Sequence, residues 1–489
     1  MPQSPNVLLL MTDQQRFDTI HALGNPVIRT PSLDRLVREG TAFTSAYTPS
    51  PVCVPARCSL YWGQSPQRTG CYDNGFRNPV ETPNLFSTMT DAGFRTHGIG
   101  KCHFSPGRDE LNGFQSRDKQ EELVGDRKGD DYLCYLESQD LAHIQDPHGV
   151  RGEMYYHPQP AQMAAKHHGT HWVGDRAIDF ISQQPSDQPW FCMTSFIHPH
   201  PPFCPPTPWH KLYRAPLMPL AKTPDDSESL HTWVNRHQNR YKYRDQGVDL
   251  NLMRSLKAYY YACISFIDYQ VGRIVESLEA TGQLDNTLIL YTSDHGEHLG
   301  DYHCVGKRSP HDTCARVPML ARLPERFEAG ARCDRPATLE DIAATALAAT
   351  NVAPKATLDG VDLAALARGE VDRDGVAIQY ARGQRAIYGW VTDRWKYAYS
   401  AGDDAELLFD RVNDPDELRN RAGLGLVESD RKAMKDQLIN HLKQFDDQEG
   451  LEGDDWRKFP PVQQSGTPDA GLLVQDAPWA DTAIPGYTD

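Results

Sequence analysis

From residue 6 to about residue 350, short unbroken apolar runs alternate with segments whose apolar residues recur at helical spacing. Residues 6–11 have the composition of a strand buried on both faces of a parallel sheet, and they lead to Asp13. Residues 30–36, TPSLDRL, start a capped helix, and 43–47 read as a further strand. Residues 84–92 predict a helix stopped by Gly93, then a strand over 94–100 that leads to Lys101 and His103. A helix over 170–182 has an apolar face of Trp172, Val173, Ala177, Ile178 and Ile181. The run 190–197 is a strand that leads to His198 and His200, and the prolines of HPHPPFCPP keep the next segment out of a helix. Residues 255–280 are the strongest helical pattern, stopped by Gly282, and 287–292 form a strand that leads to Asp294 and His295.

This alternation predicts an α/β fold with a large, mostly parallel or mixed central sheet flanked by helices. Beyond residue 355 the character shifts. D-G-V-D-L and A-R-G-E read as a linker, residues 376–380, 386–392 and 395–399 as antiparallel strands, and 428–445 as a helix. A smaller C-terminal α+β subdomain with an antiparallel sheet is expected. The division predicted is a catalytic domain over 1–355, a subdomain over 372–450 and an extended tail over 451–489 with isolated Trp456 and Trp479. That tail either docks on a neighbouring subunit of a homo-oligomer or stays disordered. Residues 105–170 and 222–250 lack periodicity and are expected as loops around a site mouth.

Composition narrows the partners. The 489 residues are 39% apolar, enough for a large core, and no apolar run is long enough to span a bilayer. Lys plus Arg number 50 against 66 Asp plus Glu, a net charge of −16. This diffuse negative balance argues against nucleic acid or an anionic membrane as partner, and an anionic substrate needs a locally positive pocket. The opening MPQSPNVLLLMTD lacks the basic region and apolar length of a signal peptide. Eleven cysteines, an odd number without framework spacing, fit reduced thiols, so a cytoplasmic setting is expected. No C-x-x-C pair or zinc-spaced Cys/His cluster occurs.

In an open parallel sheet the ligand sits beyond the carboxyl ends of the strands. Asp13, Lys101/His103, His198/His200 and Asp294/His295 each follow a predicted strand and therefore converge on one mouth. Asp13, Asp294 and His295, with Gln14 as a carbonyl donor, make an oxygen-rich site for a divalent cation. The segment PVCVPARCSLYWG adds a nucleophile candidate. Cys53 stands at an expected helix start, where free N–H groups favour an anion, Pro55 suits the first turn, and Arg57 offers a fork matched to tetrahedral oxyanions.

C-x-P-x-R is also the pattern in which type I sulfatases, of the alkaline phosphatase superfamily, convert cysteine to formylglycine. The chain resembles that family in NVLLLMTDQQ, GIGKCH, SFIHPHPPF, LILYTSDHGEHLGDYHCVGK and LLFDRVNDPDELRN, which occur in the family's order across roughly residues 5 to 425. It departs from the family at two places: the auxiliary L-T-G-R is Tyr61-Trp62-Gly63-Gln64, and the usual Asp-Asp pair is Asp13-Gln14. The resemblance implies that Asp13, Gln14, Asp294 and His295 bind calcium. His295 takes a place often held by Asn, which makes manganese or another divalent ion the alternative. It also implies that a maturation enzyme modifies Cys53 and that the hydrated aldehyde attacks sulfur. Arg57 and Lys101 would orient it and the sulfate, His103 would handle its hydroxyl proton, and His198 and Lys307 would serve the leaving group. His200, His298, His303 and His311 are given supporting or structural places.

The expected activity is hydrolysis of an organic sulfate, a sulfated sugar or a small alkyl, aryl or choline-like ester. The alternatives are a phosphonate monoester or phosphodiester hydrolase of the same superfamily, and, from another class, a silent protein that binds sulfated ligands. A two-zinc phosphatase fits less well, because Cys53 stands where its Ser or Thr would be.

Overall fold

The computed structural model describes residues 4–108, 110–122, 127–151, 154–185, 187–243, 249–446 and 448–463. Its strands up to residue 333 are β1 (Asn6–Asp13), β2 (Thr41–Phe43), β3 (Ala46–Tyr47), β4 (Arg95–Gly100), β5 (Ser116–Lys119), β6 (Trp190–Pro199), β7 (Thr287–Ser293), β8 (Met319–Arg322) and β9 (Ala331–Cys333). All but β3 join one eight-stranded sheet in the order β5-β4-β6-β1-β7-β8-β2-β9. Only β8 runs against the others, so the sheet is mixed and mostly parallel.

Strand β1 shows why the apolar run was unbroken. Val7, Leu9 and Met11 face one core layer and Leu8 and Leu10 the other, so both faces of the strand are covered. The first layer packs against α2 (Cys53–Trp62) and the Phe86–Phe104–Phe114 aromatics. The second packs against the helices Gly169–Ser182 and Leu250–Ala280. With helices on both faces, the carboxyl ends of β4, β6, β1 and β7 lie side by side at one edge. Gly100 makes this possible at β4: it has φ 80°, and a Cβ there would lie 2.0 Å from the Ser195 carbonyl oxygen.

Several sequence expectations need correction. The segment 105–170 is not all loop: it contributes edge strand β5 and the helix Asp131–Ser138, whose Asp130 side chain accepts the Leu133 N–H. Eight residues with Tyr132, Leu133 and Leu136 inward are too short for a clear period. The segment 222–250 holds the helix Trp233–Tyr243, while 244–248 lie outside the described residues. The expected linker near 360 carries the helix Leu363–Ala367, and Leu363 and Leu366 belong to the main core. The C-terminal sheet has four antiparallel strands, Val376–Tyr380, Ile387–Val391, Trp395–Ser400 and Ala405–Asp410, and the helix Glu428–Leu442 packs on it. Trp456 is not on an extended arm. It stacks on Tyr399 and Tyr388 of that sheet, with centroids 4.5 and 5.1 Å apart. Residues 464–489, with Trp479 and any docking of the tail on a neighbour, lie outside the described residues. Lys396 ties the C-terminal sheet to the main body: its buried ammonium pairs with Glu417 and, at 2.6 Å, with Asp312. No helix among the described residues is long and apolar enough to cross a membrane.

Candidate active site

Arg57 gathers the four strand ends. Its Nε donates to Asp294 Oδ2 (2.9 Å) and one terminal nitrogen to Asp13 Oδ2 (3.2 Å). The other donates to the Lys101 carbonyl (2.6 Å) and to Ser195 Oγ (3.0 Å) on β6. The side chain has no exposed surface, so α2 is pinned across the sheet edge and Cys53, its first residue, is fixed there.

Around Cys53 Sγ stand Lys307 Nζ at 3.0 Å, His295 Nε2 at 3.3 Å and Asp13 Oδ1 at 3.8 Å. Asp13, Cys53, Asp294 and His295 form a fully buried group whose ligand atoms all lie within 4.8 Å of one another. His295 Nδ1 lies 3.0 Å from the Gly296 carbonyl, which can only accept, so Nδ1 carries the proton and the Nε2 lone pair faces the site. Gln14 is at φ 69°, with its N–H on Asp294 Oδ1 (3.0 Å) and its Oε1 accepting Lys307 Nζ (2.9 Å). Two carboxylates, an amide oxygen and a neutral imidazole thus converge, a donor set suited to a hard or borderline divalent cation.

The electrostatics agree with that geometry. Burial works to raise the Asp13 carboxyl, but Lys101, His200, Lys307 and Arg57 outweigh it and hold Asp13 well below the usual carboxylate range. Burial and the nearby Asp13 charge raise Asp294 to about 7. Such a pair is resolved by a cation between its members. Burial, and then Asp13, push the Cys53 thiol up to about 11, so it is no thiolate at neutral pH.

Lys101 Nζ bridges Asp13 Oδ2 (2.7 Å) and Glu122 Oε2 (2.5 Å). Glu122, buried in an aperiodic stretch, had no signal in the sequence; it also pairs with Arg151 at 2.5 Å. His103 has φ 54°, and its N–H is 3.2 Å from both Glu121 carboxylate oxygens. Its buried ring Nδ1 makes no hydrogen bond among the described residues.

The two histidines at the carboxyl end of β6, His198 within it and His200 just past it, part company. His198, expected at the leaving group, has Nε2 3.3 Å from Cys204 Sγ and its ring against His168. His168 in turn uses Nδ1 to cap the Thr170 N–H and Nε2 to bond the Cys204 carbonyl, so this His/Cys group is closed on itself. His200 instead bonds the Pro201 carbonyl through Nδ1 and leaves Nε2 without a hydrogen bond among the described residues, 3.5 Å from Glu122 Oε1. Both histidines follow the same apolar run, and sequence spacing alone did not separate them. His298 and His311 are buried in bonds to Asn235, Thr313 and Ser309.

The sulfatase family model matches residues 5–352, and a model described as N-sulphoglucosamine sulphohydrolase, C-terminal, matches 300–447. An arylsulfatase of Clostridium perfringens is 30% identical over 449 residues, covering 85% of this chain and 90% of the relative. A choline-sulfatase of Rhizobium meliloti is 31% identical over 445 residues, covering 86% and 82%. Among solved structures, the phosphonate monoester hydrolase of Agrobacterium radiobacter superposes with a TM-score of 0.77 at 24% identity, covering 90% of this chain and 95% of that one.

Proposed function

This chain belongs to the sulfatase family, and on that footing we propose that it hydrolyses an organic sulfate ester through formylglycine made from Cys53 by a maturation enzyme, beside a divalent cation. The observation that carries this reading is the placement of Cys53 Sγ inside the Asp13–Asp294–His295 group with Lys307 at 3.0 Å. An oxygen at that place would face both the cation ligands and an ammonium. When present, the aldehyde supplies the nucleophile and the cation neutralises sulfate oxygens. Asp13, Asp294, His295 and the Gln14 carbonyl would hold the ion, calcium in the first instance, with manganese as the alternative raised by the His295 nitrogen.

The chain's other residues divide the remaining work. Arg57 and Lys101 orient the nucleophile and the ester oxygens. His103, with its free ring nitrogen, takes the proton of the nucleophile's hydroxyl. Lys307 supplies charge at the leaving oxygen, and His200, rather than His198, exchanges the proton there. His200→Ala is then expected to lower kcat/KM about 10²- to 10⁴-fold and most for aryl sulfates with poor leaving groups. His198→Ala should cost less and show no such dependence. A leaving-group series measured on both variants decides it, and the opposite ranking removes His200 from this role.

Charge points to the ester. A sulfate monoester carries one negative charge and a phosphate monoester nearly two at neutral pH. Asp13, Asp294 and Glu122 offset part of the positive charge of Arg57, Lys101, Lys307, Arg151 and the ion. A singly charged ester is therefore favoured, but a phosphonate monoester has the same charge. On protein made with a formylglycine-generating enzyme, kcat/KM for an aryl sulfate should exceed that for the matched phosphonate and phosphate monoesters. A phosphonate preferred by about tenfold would make the protein a phosphonate monoester hydrolase instead.

A further inference from the structure

Gln14 stands where the family pattern has a second aspartate. An amide differs from a carboxylate in having two unlike ends: one offers an oxygen to a cation, the other two N–H donors that repel it. Two side chains decide between them: Lys307, whose ammonium donates to Oε1, and Glu297, which is fully buried. Glu297 Oε1 accepts the backbone N–H groups of Leu299 (3.1 Å) and Gly306 (2.6 Å). Glu297 Oε2 accepts the Tyr156 hydroxyl (2.8 Å) and the Gln14 side-chain nitrogen. Four donors converge on this carboxylate, and the Gln14 side-chain N–H is one of them. Gln14 must turn its NH₂ toward it, and Oε1 then points the other way, to Lys307 Nζ at 2.9 Å and the Cys53 side of the site. The backbone is held as well, since the Tyr260 hydroxyl donates to the Gln14 carbonyl at 2.6 Å.

We infer that Glu297 is a positioning residue that fixes the orientation of the Gln14 amide and so makes position 14 an oxygen donor to the divalent cation. The inference rests on the cation reading above. It also accounts for the amide itself: a carboxylate at position 14 would put an acceptor where Glu297 now receives a donor. Partners of this kind, one bond behind a ligand, commonly set about 10- to 100-fold in metal affinity.

The test exchanges donor and acceptor. In Glu297→Gln the Leu299 and Gly306 N–H groups keep the amide oxygen of residue 297 on their side, so its NH₂ faces the Gln14 NH₂ and a clash of two donors replaces the bond that holds the amide from behind. Calorimetric titration of metal-depleted protein with calcium and with manganese should show affinity weakened by about 10- to 100-fold. Gln14→Glu alone should lower the melting temperature of metal-depleted protein, because two carboxylates then meet. The double variant Gln14→Glu/Glu297→Gln restores one donor against one acceptor. It should recover that melting temperature and bring the affinity back to at least the parental value. Glu297→Gln binding both ions as tightly as the parent would overturn the inference, as would a double variant no better than the worse single one. If the parent binds neither ion, the cation reading fails. The melting cycle still decides the coupling: recovery in the double variant upholds it, and additive losses reject it.

Discussion

Replacing Cys53 by alanine is expected to lower kcat/KM for an aryl sulfate by at least about 10⁴-fold, the scale on which removing an attacking group acts. The physical ground is the state of the thiol. It has no exposed surface and stands beside the Asp13 carboxylate, and burial raises it to about 11. An unmodified Cys53 is therefore protonated at neutral pH and a poor nucleophile. Activity should instead follow the fraction of chains carrying an aldehyde at residue 53. Co-expression with graded amounts of a formylglycine-generating enzyme, followed by peptide mass spectrometry and turnover on the same samples, should give a straight line through the origin. Full activity with only thiol at residue 53 would remove the mechanism. The same samples report on the maturation signal. Where the family has L-T-G-R, Tyr61 and Trp62 are buried and donate to the carbonyls of Cys102 and Thr82.

Much of this site was legible before the structure because the chemistry follows the strands. Asp13, Lys101 and Asp294 each stand at or directly after the end of a strand, and a sheet with parallel strands puts such residues at one edge whatever their separation in sequence. Cys53 and Arg57 were legible from the helix start. What stayed hidden lacks periodicity. Glu122 lies in a charged, aperiodic stretch, yet tertiary contact places it on Lys101. Glu297 sits two residues after His295 and could have been singled out as a buried carboxylate near the ligands, but only the bonds from Leu299 and Gly306 reveal its direction. The choice between His198 and His200 depends on how the proline-rich segment turns after β6. In the fold, the helix Asp131–Ser138 and the strand Ala405–Asp410 were missed because short elements give few periods.

Asp294→Asn is expected to lose the divalent ion and at least about 10³-fold in kcat/KM, since both the ion and the Arg57 contact depend on that charge. Asparagine keeps an oxygen to accept the backbone N–H groups of Gln14 and His295, now held by Asp294 Oδ1 at 3.0 and 2.9 Å, so the local fold should survive. That separates a lost ligand from a lost structure. The direction of the stability change differs with and without metal. Burial and the neighbouring Asp13 charge raise Asp294 to about 7 in the folded protein, above the ordinary aspartate value. Between that ordinary value and about 7 the folded state holds a proton that the unfolded state has released. Relative to Asp294→Asn, the metal-depleted parent should therefore lose stability as pH rises through this window. With ion at about 100 times its dissociation constant, the parent gains about 2.7 kcal/mol that the variant cannot. Melting curves against pH, with and without added calcium or manganese, should show the variant at least as stable as the parent without ion near neutral pH and less stable with it. Elemental analysis supplies the direct check. A stoichiometric divalent ion in the variant, or none in the active parent, would show that Asp294 does not hold a metal needed for turnover.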